Sequence, residues 1–316
     1  MSKILNTMLG LFLLFSSQVY AGTPVPDYRT VQVAEHTHVI FGPTQRPNPE
    51  NLGFMNNPAL VIGNDGVIII DPGSSLESGR MVLRQLKKLT DKPVTHVFIS
   101  HVHGDHWLGN QAVREMYPDV KLYAHPEMIR LAKESEANAW LERMDTLTNG
   151  ATAGTVAVIP ENAVADGDVF KAAGLTVRTY IMPAVHSDTD AMYEIVEDSV
   201  MLTGDNVTNQ RMPRFDHGTF RGTIAMTDML LEKNFSHYVP GHGPYGDRKI
   251  IEDFRNYIVT LYDTVKELYE QGLSDFEMKD QIVAKLSGYH QWAMFEDSVG
   301  KHISLAILEA EKAAFE

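Results

Sequence analysis

Hydrophobic positions in this chain follow two periods, and the changes from one to the other divide it into elements. Short β-branched runs at His38 to Phe41, Ala59 to Ile62, Val67 to Ile70 and Val94 to Ile99 read as strands. Gly63-Asn64-Asp65-Gly66, between the second and third of these, predicts a hairpin. Leu76 to Leu89 sets Met81, Val82, Leu86 and Leu89 on one face with Lys and Arg between, an amphipathic surface helix. Further on come a strand at Val120 to Tyr123, a long charged helix at Glu127 to Leu147, and a small-residue linker at Thr146 to Gly154. Strands are then expected around Val156 to Ile159 and Leu175 to Ile181, with the turn Ala165 to Asp168 between them. A strand pair at Ala191 to Val196 and Val200 to Leu202 follows, and another strand enters His237 to Pro244. No repeat with a period of roughly 20 to 50 residues stands out.

Past residue 247 the period is helical. Ile250, Ile251, Phe254, Ile258, Leu261, Val265 and Leu268 recur in steps of three and four, and Gly272 stops that helix. Ser274-Asp275-Phe276-Glu277 has the form of a capping box opening another helix, and Ser304 to Phe315 reads as a last one. Tyr289, Trp292 and Phe295 fall in the connection and are expected in the core, one of them available to line a pocket. Two segments read as loops. Residues 22 to 35 are an exposed lead-in, and Thr44 to Asn57, rich in Pro and Asn, is placed to edge a substrate groove.

Composition narrows the options. The 316 residues are 44% hydrophobic, enough for a real core, and the formal net charge of −14 argues against nucleic acid or an anionic membrane as partner. There is no cysteine, so neither a disulfide nor a thiolate ligand or nucleophile is available. Residues 1–21 have the form of a secretory signal: Lys3, an apolar stretch from Met8 to Phe15, and Val19-Tyr20-Ala21 before the expected cleavage. That stretch is short for a membrane span, so a periplasmic or secreted protein without a stable membrane anchor is expected. An uncleaved anchor is the rival reading.

The chemistry concentrates in Ser100-His101-Val102-His103-Gly104-Asp105-His106-Trp107, directly after the buried strand at Val94 to Ile99. An extended backbone points His101 and His103 the same way, and Asp105 and His106 follow the turn at Gly104. Imidazole and carboxylate at this spacing suit divalent ions such as zinc. Three further segments each carry a candidate: His186 in Pro183-Ala184-Val185-His186-Ser187-Asp188, Asp205 in Thr203-Gly204-Asp205-Asn206, and His242 in Pro240-Gly241-His242-Gly243-Pro244. Asp71, in Asp71-Pro72-Gly73, is a turn residue, a helix cap or a brace for the His101 to His106 loop. His125 and His237 read as structural. The loop Gln210 to Gly218, dense in Arg and aromatic residues and holding His217, is either solvent-exposed or a substrate contact.

His101-Val102-His103-Gly104-Asp105-His106, with Asp71-Pro72-Gly73 before it and the three later segments, resembles the signature of the metallo-β-lactamase-fold hydrolases over roughly residues 30 to 245. The resemblance implies an α/β fold, an αββα sandwich with metals at one edge. With the signal and the helical tail read above, the expected division is a signal at 1–21, that domain at 22–246, and a helical C-terminal extension at 247–316 that covers the site's mouth or forms a homodimer face. It implies His101, His103 and His186 on one metal, Asp105, His106 and His242 on the other, and Asp205 bridging, with Asp71 bracing the loop. Two zinc ions per chain are expected, iron or manganese being the substitutes, and Asp105 also orients the water-derived nucleophile.

Asp205 points toward the glyoxalase II-like, lactonase and general hydrolase branches. The expected reaction is cleavage of a small ester, thioester, lactone or amide. β-Lactam hydrolysis, a mononuclear iron persulfide dioxygenase and a non-enzymatic periplasmic metal-binding protein are the alternatives.

Overall fold

The computed structural model describes residues 23–215 and 217–314, so the signal-like segment 1–21 lies outside the described residues. Seven strands form the first sheet in chain order: β1 (Thr30–Gln32), β2 (Thr37–Ile40), β3 (Ala59–Ile62), β4 (Val67–Ile70), β5 (Val94–Phe98), β6 (Lys121–Ala124) and β7 (Asn162–Ala163). Five form the second: β8 (Val169–Ala172), β9 (Leu175–Tyr180), β10 (Met192–Ile195), β11 (Val200–Thr208) and β12 (His237–His242), ordered β12-β11-β10-β9-β8. Helix α1 (Leu76–Leu89) connects β4 to its parallel neighbour β5. Helices α2 (Gly104–Trp107), α3 (Asn110–Met116), α4 (Pro126–Leu131) and α5 (Ala137–Leu147) follow, the last two joined by a π-helical turn at Ala132–Glu136. On the other side are α6 (Phe220–Lys233), α7 (Arg248–Glu270), α8 (Asp275–Lys285) and α9 (Phe295–Ala313).

Three hydrophobic layers hold these pieces together as an αββα sandwich. Because side chains alternate across a strand, β4 is buried on both faces: Ile68 and Ile70 meet the second sheet, while Val67 and Ile69 meet the helices. Between the sheets, Phe98 packs on Tyr193 with ring centroids 5.1 Å apart, alongside Val177, Leu202 and Val239. Outside the first sheet, α1 and α3 bury Met81, Val82, Leu86 and Val113. Outside the second, α6 to α9 share one core built on Phe220, Phe254, Tyr257, Phe295 and Ile303. The apolar stripe of α7 from Ile250 to Leu268 is the buried face of that core. Among the described residues no helix is long and apolar enough to cross a membrane.

Four expectations are corrected. The lead-in at 22–35 is not merely exposed chain: Thr30 to Gln32 pair antiparallel with His38 to Ile40, and Val25 and Val33 are buried. That strand is too short to show a period. Val156 to Ile159 form no strand. Their backbone is held by side chains, with Gln111 Oε1 accepting from Val156 N–H at 2.7 Å and Asn110 Nδ2 donating to the Val158 carbonyl at 3.0 Å. Strand β11 does not stop at Leu202 but runs through Asp205 to Thr208, alongside β12. Helix α9 begins at Phe295, well before Ser304, so Phe295 is a helical residue.

Candidate metal centre

At one edge of the sandwich, four strand ends bring together the residues singled out in the sequence. The carboxyl end of β5 delivers Ser100 to His103 into α2, whose first turn carries Asp105 and His106. The loop between β9 and β10 delivers His186, β11 carries Asp205, and β12 ends on His242. Two groups result, His101 with His103, His186 and Asp205, and Asp105 with His106 and His242. Within each group one nitrogen or oxygen per residue lies within 4.8 Å of the others, and every member is buried.

Asp205 joins the groups. Its Oδ2 is 3.9 Å from His101 Nε2 and 3.6 Å from His186 Nε2, while its Oδ1 is 3.2 Å from both His106 Nε2 and His242 Nε2. Asp105 Oδ2 lies 3.3 Å from His242 Nε2 and 3.5 Å from His106 Nε2. Gly241 is what lets β12 come this near, because a Cβ there would run into Asp205 Oδ1.

Hydrogen bonds on the far side of four rings fix which nitrogen faces the centre. His106 Nδ1 donates to Asp71 Oδ2 at 2.8 Å, His242 Nδ1 to the Met55 carbonyl at 2.9 Å, and His186 Nδ1 to the Arg214 carbonyl at 3.2 Å. Ser100 Oγ donates to Asp71 Oδ2 at 2.6 Å, so it accepts from His101 Nδ1 at 2.9 Å. In each case the acceptor holds a proton on Nδ1 and turns Nε2 inward, the nitrogen that would ligate a cation. His103 instead presents Nδ1, 3.1 Å from His186 Nε2. Among the described residues, the inward Nε2 atoms of His101 and His106, and Asp205 Oδ1, are buried without a hydrogen-bond partner. Orphaned donors of this kind fit a divalent cation, and nitrogen with carboxylate oxygen suits zinc.

The electrostatics agree with that fit. Burial and the neighbouring imidazoles push His101 and His103 well below the ordinary histidine range, so both are neutral and able to ligate. Burial opposes charge on His106, but Asp205, Asp105 and Asp71 outweigh it and raise its pKa well above the usual value. Burial would likewise raise the two central carboxylates, yet His106 and His242 hold both Asp105 and Asp205 below the carboxylate range. This is a cluster of ionised oxygens gathered around a position that favours positive charge.

Asp71 sits behind the loop rather than in it. With φ of 53°, a conformation aspartate tolerates better than most residues, its carboxylate accepts from Ser100 N–H at 2.8 Å as well as from Ser100 Oγ and His106. His125 caps α4 by accepting from Glu127 N–H at 3.1 Å, away from the cluster. Asp190 is a contributor that sequence reasoning missed. Buried, it accepts from the backbone N–H of His186 at 2.8 Å and of Ser187 at 2.6 Å, and so shapes the turn that presents His186. The Ser187-x-x-Asp190 spacing was the available signal.

A cavity of about 260 Å³ opens over the cluster. His103, Asp105, Asp205 and His242 form its floor, and Trp140 of α5 stands at its side with its ring 5.0 Å from His103. Its walls come from the Thr44 to Asn57 loop (Arg46, Met55), the loop after β11 (Arg211 to Phe215), and Met294 with the first turns of α9. Tyr289, Trp292 and Phe295 do not line it.

Residues 52–245 match the model of the metallo-beta-lactamase superfamily. The chain belongs to the metallo-beta-lactamase superfamily. It is 24% identical over 270 residues to the linear primary-alkylsulfatase of a Pseudomonas species, covering 73% of this chain and 51% of that protein. To the atrochrysone carboxyl ACP thioesterase of Claviceps purpurea it is 23% identical over 285 residues, covering 80% and 82% respectively. This superfamily chain therefore spans about half the length of the first relative. The metallo-beta-lactamase of Pontibacter korlensis superposes with a TM-score of 0.58 at 16% identity, covering 73% of this chain and 98% of that one, which is a likeness of fold. A sulfatase and a thioesterase are hydrolytic enzymes by name, and with the superfamily match they support a metal-dependent hydrolase.

Proposed function

We propose that the protein is a dinuclear zinc hydrolase that cleaves a small ester, thioester, lactone or amide. His101, His103 and His186 would hold one ion, Asp105, His106 and His242 the other, and Asp205, placed between the two groups, would serve both. The observation that carries this reading is the position of Asp205, whose two oxygens face two separate imidazole groups. When bound, such a pair of ions supplies a hydroxide nucleophile near neutral pH and Lewis acidity at the developing oxyanion.

The chain's own residues do the rest. Asp105 stays ionised on the cavity floor, where it can accept a hydrogen bond from the attacking water and orient the nucleophile. Trp140 and the α9 wall narrow the water-accessible opening above it. The substrate range rests on the alkylsulfatase and thioesterase relatives, which point to ester-type bonds.

We further propose that the protein is exported, with cleavage after Ala21, and that residues 22–246 form the hydrolase domain with 247–316 as an added helical cover. Helices α7 and α9 support the last point, since α7 packs on β11 and β12 while α9 reaches the cavity.

The test is metal analysis of the purified protein together with a chromogenic panel of ester, thioester, lactone and β-lactam substrates, with His101→Ala as control. About two zinc per chain and hydrolysis lost in the variant are expected. Equal, slow turnover of every substrate by both proteins would remove the enzyme reading, and about one iron per chain would favour dioxygenase chemistry instead.

A further inference from the structure

The chain as a whole is acidic, at −14, yet the cavity over the metal centre is basic. Arg46, Arg143, Arg211, Arg214 and Lys301 line it, and among the described residues Asp297 is the one acidic lining residue apart from Asp105 and Asp205. Charge reversal of this kind at a cleft concentrates ligands of the opposite sign.

Of these cations, Arg211 is the buried one. It lies on the loop just after β11 and is only 4% exposed. Its backbone is fixed from two sides: Thr208 Oγ1 donates to its carbonyl at 2.8 Å, and the neighbouring Met212 N–H donates to the Ala293 carbonyl at 3.1 Å. Its Nη1 is buried with no hydrogen-bond partner among the described residues. A guanidinium cannot escape by losing its proton, so a buried and unsatisfied one calls for an anion. Asp105 and Asp205 attract it but face the imidazoles, and Arg46 and Arg214 stand close enough to repel it. With two divalent cations in place, the two carboxylates offset only half the added charge, and the surplus beside Arg211 grows.

We propose that the cavity takes an anionic substrate whose carboxylate, sulfate or phosphate oxygens are bound by Arg211. Met55, Trp140, Leu147, Met212 and Phe215 give the same cavity apolar walls, so the fitting molecule pairs that oxyanion with an apolar body. This inference rests on the hydrolase reading for its meaning as substrate selection, but not for the binding event itself. Two sources share the chemistry: an oxyanion elsewhere in the molecule, or the scissile group itself, as in a sulfate monoester.

The experiment is titration of the zinc-loaded full-length protein with octanoate, octyl sulfate and neutral octanol, followed by tryptophan fluorescence with Trp140 in the cavity as reporter. Wild type is expected to bind either anion at least about tenfold more tightly than octanol. Arg211→Gln should weaken anion binding roughly ten- to hundredfold, the range for a lost hydrogen bond to a charged group. Arg211→Lys should recover part of it, with zinc content equal in all three proteins. No preference for the anions, or a preference that survives in both variants, overturns the proposal.

Kinetics with 4-nitrophenyl acetate, mono-4-nitrophenyl glutarate and 4-nitrophenyl sulfate then separate the sources. A kcat/KM preference for the glutarate ester assigns the oxyanion to a remote group, and preference for the sulfate makes it the scissile one. Anion binding without hydrolysis of any ester counts against the hydrolase reading alone. Hydrolysis without anion preference counts against the Arg211 cradle alone.

Discussion

Asp205 is the residue on which the centre turns, because one carboxylate touches both groups of imidazoles. Asp205→Ala is therefore expected to strip metal from both positions, leaving well below half of the wild-type content by elemental analysis. His125→Ala, which removes only the cap of α4, should leave metal content intact. Equal losses in the two variants would mean the ligands are misassigned. At this scale the clustered residues were legible because His101 to His106 lie within one short run and the later three each lie in or just after an apolar, strand-like stretch. Arg143, Met294 and Lys301 were not, since nothing local ties a helix residue to a cavity formed by distant segments. Asp190 acts through backbone N–H groups, and that role leaves only a weak trace in sequence.

Among the helices, α7 buries the most residues. Phe254 is fully enclosed between the second sheet and the outer helices, whereas Phe276 on α8 is 86% exposed. Phe254→Ala should lower unfolding stability by about 3–5 kcal/mol in urea denaturation. Phe276→Ala should change it by less than about 0.5 kcal/mol. Similar values for the two would contradict the buried face assigned to α7. Long amphipathic helices such as α1 and α7 were readable because their period repeats over several turns. The short strands β1, β7 and β8 were not, because two or three residues cannot establish an alternation and β8, with Lys171 inside it, lacks the apolar run that marked β3 and β4. Val156 to Ile159 misled for the opposite reason, an apolar run that packs on α3 without a ladder.

For the whole molecule, metal and fold stability are linked. The native site gathers Asp105 and Asp205 in a buried cluster that the unfolded chain does not keep, so a cation bound there favours the folded state. Zinc at about 100 times its dissociation constant adds roughly 2.7 kcal/mol, which should raise the melting temperature by several degrees over chelator-treated protein. An unchanged melting temperature would separate metal binding from the native cluster. The central claim is two cations gripped at one edge of the sandwich, and anomalous diffraction at the zinc edge on crystals of the zinc-loaded protein tests it most directly. Two peaks about 3.5–4 Å apart, one against His101, His103 and His186 and one against Asp105, His106 and His242, are predicted. A single peak, or peaks away from Asp205, would contradict the account.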